Sequence, residues 1–240
     1  TDSNGQGRFY YQPPAGALAL CSRNIDTPKN VPTTYIVDET NAKMLTYNGN
    51  TEISKFSPYE ADGYSMKFDG SNQRITLPSN TSYAIGESDD YSVECWVYIM
   101  EMENVAFFQT ATSTVGANGE FWFGVNSNNL IASQHGSATY LARGSTSLSS
   151  NRWYHVAAKR VNGTLSLFVN GVQETFAAGS NHSAHGSTGF TQSGASVGFQ
   201  TTNGWLNGYI TDLKFNVGGV SSTAGTYSSP LTKTSIISDS

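Results

Sequence analysis

Few side chains in this 240-residue chain are placed to do chemistry. Cleaving a glycosidic bond takes two carboxyl groups, about 5–5.5 Å apart for retention and about 6.5–9.5 Å apart for inversion. Acids at i and i+2 on one strand face meet the shorter distance. Glu94 falls in the middle of a strand pattern, yet the residues following it on its face are Trp96 and Tyr98. Glu101 and Glu103 lie where that pattern ends, and Asp89-Asp90 precede it in a turn. With no second acid beside the first, a glycan-cleaving enzyme is disfavoured and a non-enzymatic protein is expected. His155 shares a strand face with Trp153 and reads as a core histidine with a hydrogen-bond partner. His182 and His185, at i and i+3 in a Gly/Ser-rich loop, supply two nitrogens where a zinc site needs three or four ligands, so a solvated loop is expected.

The two cysteines, Cys21 and Cys95, stand far apart, and neither belongs to a CxxC pair. A structural zinc site is therefore not expected. Cys95 lies inside a strong strand pattern and is expected as a buried thiol. A Cys21–Cys95 disulfide stays open, because spacing alone does not decide it. For glycan binding the residues to look for are exposed aromatics, which stack on sugar faces while polar neighbours bond the hydroxyls. Trp122, Tyr140 and Trp205 are the candidates, beside the polar loops 113–118, 126–129 and 200–203. For Trp122 and Trp205 the competing role is packing in the core or at a sheet edge.

The elements that must position these groups are strands. Charged residues make up 13% of the chain and aromatics 12%, and glycine, serine, threonine and asparagine are abundant. That mixture favours turns over helices, and disordered chains rarely carry so many rings. Residues 90–100 give the clearest strand, with Tyr91, Val93, Cys95, Val97 and Ile99 on one face and Ser92, Glu94, Trp96 and Tyr98 on the other. Residues 153–161 and 164–170 flank Asn162-Gly163, and Asn170-Gly171 follows; both pairs signal type I′ hairpins. Asp69-Gly70 between the runs 64–68 and 74–77 signals another hairpin. Many short strands at a spacing of roughly 8–12 residues predict a sandwich or barrel.

Residues 1–32 hold four of the seven prolines, with strands expected at 7–11 and 17–21 and a linker at 26–32. The regular strands begin near residue 33, and a Ser/Thr-rich tail follows residue 218. The net charge of −5 and the lack of a basic face exclude a nucleic-acid partner. No stretch approaches the roughly 20 apolar residues of a membrane helix, so no membrane insertion is expected.

Four segments carry a resemblance. Tyr64-Ser65-Met66-Lys67-Phe68-Asp69-Gly70 resembles the opening strand and turn of a laminin-G-like domain of the concanavalin-A-like lectin/glucanase superfamily. Tyr91-Ser92-Val93-Glu94-Cys95-Trp96-Val97 resembles that family's FTIEFWV strand. Trp153-Tyr154-His155-Val156 through Leu167-Phe168-Val169-Asn170-Gly171 is similar to its W-x-H-V…L-x-V/I-N/D-G pattern. Leu206-Asn207-Gly208-Tyr209-Ile210-Thr211-Asp212-Leu213 is similar to its final G-x-I-D-D-L strand. The resemblance covers about residues 33–228, leaving 1–32 as an extension, or the end of a preceding domain, and 229–240 as a tail. It implies an all-β jelly-roll sandwich of two antiparallel sheets.

The resemblance implies more than a fold. The family's glucanases carry E-x-D-x-E on one central strand, which this chain lacks. The family places a glutamate where Glu94 stands, hydrogen-bonded to a side chain of a neighbouring strand. Many related sandwiches bind one Ca²⁺ through carboxylates and loop carbonyls. The positions that carry over are Asp69 and Asp212, with Thr211 standing where the pattern has an acid, so the ligand set is one acid short. Ser57-Pro58-Tyr59 and Thr226-Tyr227-Ser228-Ser229-Pro230 resemble laminin-G-like domains of tailed-phage virion proteins, those of marine phages above all. Gly7-Arg8-Phe9-Tyr10-Tyr11 through Gly16, followed by Leu18-Ala19-Leu20-Cys21, looks like the segment that closes a preceding SPRY-like sandwich in such proteins. The implied role is a non-enzymatic virion module for capsid decoration or for tail or fibre adhesion. Its expected partners are other virion proteins, further copies of itself and surface glycans, with residues 1–32 as docking arm. The alternative is a calcium-dependent lectin module of a secreted or cell-surface protein.

Overall fold

Apolar residues at every second position give each strand one face to bury, and two sheets bury those faces against each other. The computed structural model describes residues 18–25, 33–38, 46–49, 51–58, 64–77, 83–110, 121–126, 128–135, 140–187, 189, 194–200 and 204–218. One sheet comprises β1 (Leu18–Ile25), β2 (Thr33–Asp38), β4 (Glu52–Ser54), β5 (Ser65–Asp69), β7 (Tyr91–Ile99), β12 (Trp153–Val161), β13 (Thr164–Val169), β14 (Val172–Gln173) and β18 (Asn207–Val217). Its order is β14-β13-β12-β7-β18-β1-β2, with β5 also paired to β18 and β4 to β5. The facing sheet has seven strands: β3 (Thr46–Asn48), β6 (Arg74–Leu77), β8 (Val105–Gln109), β9 (Phe121–Val125), β10 (Leu130–His135), β11 (Tyr140–Ser147) and β15 (Ala195–Val197). A two-stranded ribbon, β16 (Phe199–Gln200) with β17 (Gly204–Trp205), completes the set. This is the antiparallel sandwich that the sequence predicts.

Strand β7 runs at the centre. Tyr91, Val93, Cys95, Val97 and Ile99 lie in the core between the sheets, as their alternation requires. Cys95 is a buried free thiol. The hairpins at Asn162-Gly163 and Asn170-Gly171 form with positive φ at both turn residues (48° and 74°; 50° and 79°), the type I′ requirement. The Asp69-Gly70 signal has a different outcome. Strand β5 pairs with β18 in the nine-stranded sheet and β6 pairs with β15 and β3 in the other, so this turn carries the chain across the sandwich and closes no hairpin. Both strands obey the alternation of a hairpin, but they bury their apolar faces from opposite sides of one core.

The strand expected at 17–21 is β1, and it lies beside β18 (Leu18 opposite Phe215, Leu20 opposite Leu213) and beside β2. Residues 18–25 are thus paired into the nine-stranded sheet. The strand expected at 7–11, Tyr10 and Tyr11 of the docking arm, the linker 26–32 and the tail beyond 218 lie outside the described residues.

The far end of the core is closed by Arg160, a residue that is 1% exposed. Its guanidinium donates to three loop carbonyls: Asp89 (Nε 2.9 Å, Nη2 2.6 Å), Gly86 (Nη2 2.5 Å) and His185 (Nη1 2.8 Å). It also lies 5.0 Å from the Tyr91 ring centroid. Burial lowers its pKa, and Tyr91, Asp89 and Asp90 oppose that shift. His185, expected in a solvated loop, is instead fully buried in the 3₁₀ helix His182–Ser187, while His182 stacks on Phe176 at 3.9 Å.

Candidate functional site

Glu94 faces outward from the nine-stranded sheet and is 7% exposed. Its Oε2 lies 3.3 Å from His155 Nε2 on β12, and its Oε1 lies 3.2 Å from Lys214 Nζ on β18. Both partners come from neighbouring strands, as the resemblance implies. Ser92 and Trp96 flank Glu94 on its own strand, and Ala157 and Lys214 stand across from it. No second carboxylate occupies any of these adjacent positions, so the acid–base pair of a glycosidase is not assembled around Glu94.

The two acids considered for calcium stand apart. Asp69 opposes Asn207 in the register of β5 on β18. Asp212 lies five residues further along β18, about 16 Å at the rise of a strand. Oxygen ligands sit about 2.3–2.6 Å from Ca²⁺, so these two do not converge on one ion. Asp212 is instead at a β-bulge: Thr211 opposes Trp96 and Lys214 opposes Glu94, giving β18 one extra residue, and Asp212 sits there at φ 50°. The bulge falls where the partner of β18 changes from β5 to β1. Asp69 closes an Asx turn, accepting from the Ser71 amide (3.0 Å) and hydroxyl (2.9 Å). Burial pushes its carboxyl up, but those bonds and the Asn72 amide outweigh it and hold the group below its ordinary 3.8.

The aromatic candidates divide. Trp122 lies on the outer face of β9, only 1% exposed and packed with Ala106 and Ala132, so its role is packing. Tyr140 opens β11 opposite His135, and its side chain lies outside the described residues. Trp205 is half-buried on β17, with its ring 4.4 Å from that of Phe199.

The richest surface is one that residue-by-residue reading missed. Across the outer face of the nine-stranded sheet, Lys67, Tyr209, Tyr98 and Trp153 stand in one row on β5, β18, β7 and β12, with Glu52 on β4 extending it. At the spacing of paired strands, Glu52 to Trp153 spans about 19 Å. Phe56, 36% exposed, leans onto the rings: its centroid is 4.8 Å from Tyr98, 4.9 Å from Tyr209 and 5.5 Å from Trp153. Its segment is tied down by Ser65 Oγ donating to the Phe56 carbonyl at 2.5 Å. Tyr98 and Tyr209 are half-buried, and the buried Trp153 indole N–H has no hydrogen-bond partner. At the other end of the row, Glu52, Lys67, Asp69, Asn72 and Gln73 line a cleft of about 510 Å³. The signal was available: strand alternation puts Tyr98, Trp153 and Tyr209 on faces turned away from the core.

A Ser-His-Asp triad is disfavoured in the sequence on the ground that no nucleophile elbow is present, yet its spelling does occur. Gly194-Ala195-Ser196-Val197-Gly198 has the G-x-S-x-G form of a nucleophile elbow. Here it spells strand β15, with no strand-to-helix turn. The Ser196 hydroxyl is fully buried and accepts from Gln109 Nε2 at 2.9 Å.

Residues 69–216 match the laminin G group of the concanavalin A-like lectin/glucanases superfamily. Comparison with curated protein sequences finds no match. Among solved structures, the chain is similar to the botulinum neurotoxin serotype D binding domain (TM-score 0.54, 15% identity, 85% of this chain and 48% of that one). It is similar to the binding domain of Paraclostridial Mosquitocidal Protein 1 (TM-score 0.54, 13% identity, 84% and 48%). It is also similar to a Trypanosoma rangeli sialidase in complex with 2,3-difluorosialic acid (TM-score 0.52, 15% identity, 90% and 32%). The chain spans about half the length of the toxin binding domains and a third of the sialidase chain. At these identities the likeness is one of fold.

Proposed function

This chain belongs to the concanavalin A-like lectin/glucanases superfamily, and from that premise we propose that it is a non-enzymatic, glycan-binding adhesion module on a tailed-phage virion. The observation that carries the binding reading is the row from Glu52 to Trp153. Rings at one end offer apolar faces to sugar C–H groups, and charged and amide side chains at the other offer partners for hydroxyls. A rigid sheet holds both, so little ordering cost is left for binding. The arrangement around Glu94 supports a non-enzymatic role, because its carboxylate is engaged by His155 and Lys214. The virion setting rests on the sequence likeness of the flanking segments, and its partners are then other virion proteins and further copies of this chain.

The test is a glycan array probed with the purified chain, in calcium and again in EDTA. Retained binding to a subset of glycans in both conditions, lost in the Tyr98→Ala/Tyr209→Ala double variant, is the expected outcome. Binding lost in EDTA would make the protein a calcium lectin, with Asp69 and its cleft as the place to look. Silence in both conditions from folded protein would remove the glycan reading and leave virion proteins as the partners to seek.

A further inference from the structure

Arg74 opens β6, next to the turn that crosses the sandwich. Ile75 and Leu77 enter the core, so Arg74 faces outward with Thr76. Its guanidinium lies 4.8 Å from the Phe199 ring centroid and 5.9 Å from that of Trp205. The Nε is buried and has no hydrogen-bond partner, and among the described residues no carboxylate pairs with the group. This is the converse of Arg160, whose donors are taken up by carbonyls. With Nε buried, the terminal Nη1–Nη2 edge is the part of the guanidinium left to act as the fork that meets a carboxylate in two parallel bonds. A half-buried cation with no counter-charge is costly to hold. The chain as a whole is acidic, at −5, so this is a local site and no general attraction for anions. Beside the fork stands Trp205, the least buried of the four tryptophans.

We infer that Arg74, Phe199 and Trp205 form a subsite for an acidic sugar, its carboxylate on the Arg74 fork and its ring face on Trp205. The inference rests on the glycan-binding reading and adds a substrate class at a second place on the surface. Phe199 is 3% exposed and acts as the support that holds the cation in position.

The experiment uses the full chain and four probes: sodium glucuronate, its methyl ester, methyl glucoside and inorganic sulfate. Trp96, Trp122 and Trp153 are buried, so acrylamide quenching of tryptophan fluorescence reports mainly on Trp205. Glucuronate is expected to protect Trp205, with the ester and the glucoside at least tenfold weaker, and Arg74→Gln to weaken glucuronate by about tenfold, or about 1.4 kcal/mol. Arg74→Lys keeps the charge but loses the fork and should fall between, and Trp205→Phe, which removes the fluorescent reporter and is therefore followed by titration calorimetry beside the parent, should retain binding. Melting midpoints equal to the parent's establish that the variants are folded. Glucoside binding as well as glucuronate, or Arg74→Gln changing nothing, would overturn the site. Sulfate protecting as well as glucuronate would overturn the sugar assignment, leaving a bare oxyanion site. If glucuronate fails while the array still shows glycans lost in the Tyr98/Tyr209 variant, only this subsite falls. If both fail, the functional reading falls with it.

Discussion

Removing the Arg160 side chain should be among the most damaging single substitutions available in this protein. In Arg160→Ala the carbonyls of Asp89 and His185 lose the guanidinium that satisfies them, while Gly86 keeps the Asp89 amide at 3.2 Å. Loss of the donor to the buried His185 carbonyl costs about 1–3 kcal/mol, and the carbonyl of the exposed Asp89 adds less. The contact over the Tyr91 ring contributes up to about 2 kcal/mol more when desolvated. Releasing the desolvated charge returns part of that, which puts the net loss at about 2–4 kcal/mol. A domain of this kind has about 5–15 kcal/mol in total. Urea denaturation followed by fluorescence should therefore show a large fall in midpoint at unchanged slope. Arg160→Lys keeps a cation, but its compact ammonium cannot reach three divergent carbonyls, so an intermediate loss is expected. A loss below about 1 kcal/mol in the alanine variant would refute the reasoning, since water would then be satisfying those carbonyls as well as the guanidinium does.

Three further outcomes follow from the same geometry. Burial, and then the neighbouring Glu94 charge, push the Cys95 thiol well above its ordinary 9.0, so peptide mapping after native alkylation near pH 8 should find Cys95 unmodified until the protein is unfolded. Gly198 has φ 78°, and a Cβ there would lie 2.5 Å from the Phe68 ring; Gly198→Ala should cost about 1–3 kcal/mol, and a neutral effect in thermal denaturation would contradict this. Because the Asp69 pKa is lowered in the fold, its small contribution to stability is present above about pH 4 and fades as pH falls through the folded value. A carboxyl NMR titration should place its midpoint below 3.8 and return it upward in Ser71→Ala; an unmoved midpoint counts against the Asx turn.

Period and turn chemistry made the sandwich legible. The alternation of 91–99 sorted core from surface correctly, and Asn162-Gly163 and Asn170-Gly171 could close only the tight turns they do close. The partner of each strand was not legible, because alternation records which face is buried and not which sheet buries it. That is why Asp69-Gly70 reads as a hairpin and is a crossing. Site residues suffered from the same gap. Trp122 and Trp205 look alike in sequence, yet one lies under cover on the outer face of β9 and the other stands half open on a ribbon. The Tyr98–Trp153–Tyr209 row exists only through register between strands more than fifty residues apart in the chain. The contrast between Arg160 and Arg74, one satisfied and one not, has no signature in residue type or spacing at all.

Strand β18 has a consequence for how the molecule comes into being. It receives β7 along one edge and β5 and β1 in succession along the other. Each of those three is translated long before it, β1 nearly two hundred residues earlier. A ribosome therefore releases the two halves of the larger sheet with their middle missing, and the gap persists until the region around 207–217 emerges. Pairing across such sequence distances is slow, because the chain must close its longest loops before any contact repays the entropy. In the interval, β7 and β5 expose unpaired edges able to recruit a neighbouring nascent chain. Crowded polysomes are thus the setting in which this sequence is most exposed to misassembly, and expression at low temperature, which slows synthesis and its supply of unfinished chains, should favour the correctly closed form.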